Sequence, residues 1–149
     1  MTEPAIAEIA ASLTLAVNAI AGAYAGLRWW QVQPSTAAWR LLRAGQAVAV
    51  AQAAVAGVLA LGGYHPADGL YWLYALLPVA IGFVAEQLRI VSADQVLENR
   101  QLPDAQAVGE LPEAEQRSVV LAIARRELGV TALAALVVAA LALRAALVV

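Results

Sequence analysis

Three groups of residues carry the polar chemistry of this chain. The first is a charged set on three separate segments: Arg40, Arg43 and Gln46; then Glu86, Gln87 and Arg89; then Arg125, Arg126 and Glu127. Guanidinium groups bind carboxylates and phosphates through charge-assisted, paired hydrogen bonds. Arg40, Arg43, Arg89, Arg125 and Arg126 outnumber Glu86 and Glu127, so the set carries net positive charge. Such a set suits an anionic lipid headgroup or a phosphorylated solute. It equally suits the positive collar of a multi-span protein, with arginine stems in apolar surroundings and heads in water.

The second group is a pair of amides, Asn18 and Gln52, each inside an apolar run. An amide in a dry interior needs a partner. The two predict either a bond between neighbouring helices or a polar path through them, with Gln46 on the same route. The third group is His65 and Asp68 in a short turn. A His–Asp pair can serve as an acid–base site. No nucleophile or second histidine accompanies it, so a capping aspartate and a solvated histidine are expected. Glu8 precedes the first apolar run and is expected at headgroup depth, where a helix N-terminus favours its charge.

Cysteine is absent and there is one histidine. Thiol catalysis, disulfides, cysteine zinc sites, iron–sulfur clusters and a histidine-rich metal site are excluded. No catalytic residue, metal or cofactor is expected.

The elements that must position these residues follow from composition. The chain has 149 residues, 62% of them hydrophobic and 13% charged, with mean hydropathy +0.73. A water-soluble domain of this size has too little interior to hide that much apolar surface. A soluble enzyme and a disordered chain are excluded, and a net charge of −2 offers no pull on nucleic acid. Uncharged runs cover 9–27, 44–62, 70–85 and 128–143. With their weakly polar flanks, each approaches the roughly 20 residues that span a bilayer as a helix.

The expected fold is an all-α integral membrane protein, a four-helix bundle in a single domain over 1–149. Transmembrane helices are expected at about 5–28, 36–62, 69–90 and 126–148. Helices three and four are expected to run on into a cytoplasmic helical hairpin over about 89–127, tipped by the Pro103 and Pro112 breakers. Eight arginines fall on one side of the spans and only Arg144 on the other. The positive-inside rule then places loops 28–36 and 89–127 in the cytoplasm and both termini outside, in a cytoplasmic (inner) membrane of bacterial type. Met1–Pro4 lacks the positive start of a signal peptide.

Small residues at four-residue spacing (Gly22 and Gly26; Ala49, Ala53 and Gly57) allow close helix approach and a homo-oligomer. The first functional expectation is therefore a non-enzymatic membrane bundle that assembles with itself, or docks a cytoplasmic protein partner on 89–127. The alternative is a small ion or solute channel or transporter, with a path through Asn18, Gln46, Gln52 and the Arg/Glu set. The third is a protein that binds or modifies lipids. Membrane lipids, including anionic headgroups, are the expected small partners.

Overall fold

The structure, a computed structural model, describes residues 2–149. It contains α1 (Glu3–Trp30), α2 (Thr36–Leu61), α3 (Leu70–Asn99), α4 (Ala105–Gly109) and α5 (Glu113–Leu147), with no strand among the described residues. Alanine and leucine make the long helices, and short polar side chains fix three of the helix starts. Ser35 Oγ accepts the Ala38 N–H at the head of α2, and Asp68 Oδ1 accepts the Leu70 N–H at the head of α3. Asp104 Oδ1 accepts the Ala107 N–H at the head of α4, a short helix between the Pro103 and Pro112 breakers.

Three helices end in the same way. Gln33 N–H donates to Arg28 O and Val32 N–H to Trp29 O after α1; Tyr64 to Leu59 and Gly63 to Ala60 after α2; Leu102 to Leu97 and Gln101 to Glu98 after α3. This double closure needs a left-handed residue, normally glycine. Gly63 supplies it at φ 83°, but Gln101 takes φ 57° and Val32, which is β-branched, takes φ 53°.

α1, α2, α3 and α5 are long and apolar enough to cross a membrane. α5 packs along both α1 and α3, α2 rests on α1, and α2 meets α3 more loosely. The polar contacts run in opposite directions along α1–α2 (14 with 48, 18 with 45) and α3–α5 (89 with 127, 100 with 118), and α2 and α3, joined by the loop 62–69, meet again at 43 with 86. The bundle is therefore up-down-up-down. α3 has no break after 90 and α5 none before 126, so the expected hairpin is a direct continuation of two bundle helices. α3 also continues through the buried Pro78, which supplies no N–H to the Tyr74 carbonyl.

The bundle is small inside and large outside. Ala7, Ala11, Ala21, Ala25, Ala38 and Ala142 are fully buried, while Leu61, Ile20, Phe83 and Leu133 point outward. This suits a hydrocarbon surround, in which close backbone packing holds helices together. Gly22 is part of that packing: a methyl group there would lie 2.8 Å from the Leu136 side chain. Gly26 and Gly57 face open space instead.

Candidate functional site

The loose α2–α3 seam is closed at one end by an ion cluster built on Glu86. Glu86 Oε1 accepts from Arg43 Nη1 at 2.9 Å and from Gln46 Nε2 at 2.8 Å. Its Oε2 accepts from Arg89 Nε at 3.1 Å. Arg43 Nη1 also donates to Gln46 Oε1 at 2.8 Å, and Arg89 Nη1 reaches Glu127 Oε1 at 3.5 Å. The Arg89 guanidinium lies 5.8 Å from the Trp39 ring centroid, which holds its position. The bonded core thus has two arginines and two glutamates and no net charge, unlike the wider set read from the sequence.

Glu86 and Gln46 form one end of a cavity of about 250 Å³. Asn18 and Thr131 are its other polar lining residues; Leu42, Pro78, Gly82 and Val138 are among the apolar ones. Val50, Val79 and Phe83 line it too and are surface-exposed, so it opens sideways between α2 and α3. The cavity is thus an apolar chamber with a lateral mouth and one polar end.

Asn18 is held by α2 backbone. Its Nδ2 donates to Gly45 O at 3.1 Å and to Thr14 O at 3.0 Å. Thr14 Oγ1 donates to Ala10 O at 3.0 Å, with Val48 O at 3.5 Å. Gln52 is 1% exposed, and neither its Oε1 nor its Nε2 has a hydrogen-bond partner among the described residues. Asn18 and Gln52 do not bond each other, and Gln52 is not among the cavity's lining residues. At the opposite end of the bundle the Tyr64 and Tyr71 hydroxyls are also buried without partners. Burial, and then the Glu3 carboxylate, push the Tyr64 phenol up.

The structure brings Arg43, Gln46, Glu86, Arg89 and Glu127 together and leaves four expected members apart, among them Gln87, which is exposed and makes no side-chain bond among the described residues. Arg125 stacks on Trp29, at 5.4 Å from the ring centroid. Arg126 Nη1 donates to Gln95 Oε1 at 3.2 Å. Arg40 is exposed and makes no side-chain bond among the described residues. Glu8 and His65 are exposed, and Asp68 caps α3. Sequence reasoning missed Gly82, Phe83, Pro78 and Thr131 as cavity residues. Pro78 and Gly82 did carry a signal, since two poor helix formers one turn apart in a long helix mark an unusual face. No group of three or more His, Asp or Glu able to hold a metal occurs among the described residues. Compared with family models, curated proteins and solved structures, the chain matches none.

Proposed function

We propose that this chain is a membrane-embedded protein that holds an amphipathic, membrane-dissolved ligand in the α2–α3 groove. The apolar portion lies against Val79, Gly82 and Phe83, and the polar head meets Arg43, Gln46 and Glu86. One observation carries this reading: the bundle's apolar cavity opens through the seam between two helices and ends on its densest ion cluster. A water-filled path along the bundle axis would draw on Asn18, Gln46, Gln52 and the Arg/Glu set together. Asn18, Gln46 and Glu86 line the cavity but Gln52 does not, and the cavity opens sideways between two helices, which favours storage or transfer of a lipid-like molecule.

Gly82 provides the test. A Cβ added there meets no atom within 4 Å, so a larger side chain enters the groove without a clash at its root. Replacing a helical glycine also favours the helix, by about 1 kcal/mol. Gly82→Leu is therefore expected to be as stable as the wild type or more so, and to lose its ligand. Native mass spectrometry from gentle detergent, with identification of bound lipid, reads both load and subunit number. The wild type should carry a defined amphiphile that Gly82→Leu lacks. A bare wild type, or an equal load on Gly82→Leu, sinks the proposal. In that event, a defined oligomer in the same spectrum would move self-assembly ahead.

A further inference from the structure

A second cleft, separate from the groove, lies where the α1–α2 loop meets the extended parts of α3 and α5. It is shallow and open to solvent, and is lined by Arg100, Arg117, Arg125, Ser118, Leu121 and Val32, among others. None of its lining residues is acidic. We propose that this cleft binds the phosphate group of a phosphate ester.

The charge arrangement carries the proposal. The segment from 90 to 126 is acidic by count: Asp94, Glu98, Asp104, Glu110, Glu113 and Glu115 against Arg100, Arg117, Arg125 and Arg126. Yet three of those four arginines line one cleft, and all six acids stay off it. Like charges around a shared space repel, and a bound anion turns that repulsion into attraction.

The existing partners leave the guanidinium groups available. Arg100 Nη2 donates to the neutral Ser118 Oγ at 3.1 Å. Arg125 is held by the face of Trp29 rather than by a carboxylate. Arg117 lies 3.7 Å from Glu113 Oε1, but both side chains are largely exposed, so water screens that pair. A forked guanidinium binds phosphate through two parallel hydrogen bonds, and Ser118 adds a hydroxyl.

The lining says more about the ligand: Leu121 and Val32 offer an apolar wall beside the arginines for an organic portion. Val32 is held there by the closing turn of α1.

The phosphate could arrive on a soluble ester or on a lipid headgroup, and one experiment separates the two. The full chain in phosphatidylcholine nanodiscs is titrated calorimetrically with inorganic pyrophosphate. The titration is repeated in discs that also contain phosphatidic acid. Saturable binding is expected, weakened about tenfold by Arg117→Ala and by Arg100→Ala and unchanged by Arg144→Ala at the opposite end of the bundle. Arg100 and Arg117 are exposed, so both variants should fold. Equal binding in the two kinds of disc identifies a soluble phosphate ester as the ligand class. Binding suppressed by phosphatidic acid identifies a lipid phosphate seated in the cleft. No saturable binding in phosphatidylcholine discs, or undiminished binding in the Arg100→Ala/Arg117→Ala double variant, overturns the proposal.

Discussion

Gly45 and Asn18 show how tightly single residues fit at this bundle's centre. A methyl group on Gly45 would lie 2.6 Å from Asn18 Oδ1 and 3.1 Å from its Cγ. The same glycine's carbonyl accepts the Asn18 amide at 3.1 Å. Gly45→Ala must therefore push the amide off that bond, at a cost of about 1–3 kcal/mol. Asn18→Ala costs the bond alone, and adding Gly45→Ala to it should cost little more. A double-mutant cycle in thermal unfolding would show this non-additivity, and simple addition of the two losses would refute the contact. Gln52 is the opposite case. Both of its amide atoms are buried without partners, so Gln52→Leu should stabilise the fold by about 1–3 kcal/mol. A lower melting temperature for Gln52→Leu would show that the amide has a partner after all. The need of both amides for partners was legible in the sequence. Which partner each finds was not, because the Asn18 acceptor is a backbone carbonyl and carries no side-chain signature.

Elements meet here through two kinds of seam. α1 and α5 close by small residues: Gly22 lies under Leu136, and a methyl group on Gly129 would meet Trp29 Nε1 at 2.8 Å. α2 and α3 leave the cavity between them and are tied instead by Glu86. Arg43 is 56% exposed, so the tie is worth only about 1 kcal/mol. It acts locally, and its loss should appear in motion more than in melting. In Glu86→Ala, hydrogen exchange should accelerate across 40–50 and 82–90 and stay unchanged along the α1–α5 seam. Uniform acceleration through all four long helices would mean that the cluster supports the whole bundle. The helix ends offer a second check. Val32 closes α1 in a conformation that costs a β-branched residue about 1–2 kcal/mol, and it is 41% exposed. Val32→Gly relieves that strain, offset in part by the greater freedom glycine gives the unfolded chain. A net rise in stability of a few tenths to about 1 kcal/mol is expected in chemical unfolding. A fall would show that the Val32 side chain contributes more through packing than its backbone costs.

At the scale of the whole molecule, α3 and α5 outrun the other two long helices, α1 and α2. At 1.5 Å per residue, α3 is about 45 Å long and α5 about 52 Å, against a hydrocarbon core near 30 Å. Neither fits inside the apolar layer, and their polar ends point the same way. This part of the fold was legible in the sequence. Uncharged runs mark the apolar segments, and the lack of any breaker from Arg89 to Arg100 marks the continuation of α3. The groove was not legible, for a physical reason. On helices that are apolar all round, nothing in the pattern says which face meets a neighbour, so a loose seam and a tight one read alike. The ion cluster was half legible: glutamates at helix ends invite arginine partners, but five candidate arginines could not be sorted without rotation about each helix axis. Charge decides how the molecule is oriented. Arg28, Arg40, Arg43, Arg89, Arg100, Arg117, Arg125 and Arg126 lie toward the α3–α5 extension, while Arg144 lies toward the termini. A protein inserted by the positive-inside rule exposes residues 102–112 to the cytoplasm. Protease added to inverted membrane vesicles should cut there, and protease added to right-side-out vesicles should leave the tip intact. A tag fused to the amino terminus should show the reverse accessibility. Cleavage of the tip only from the outer side would invert the molecule and put the basic cleft, with the phosphate ester it is proposed to bind, outside the cell.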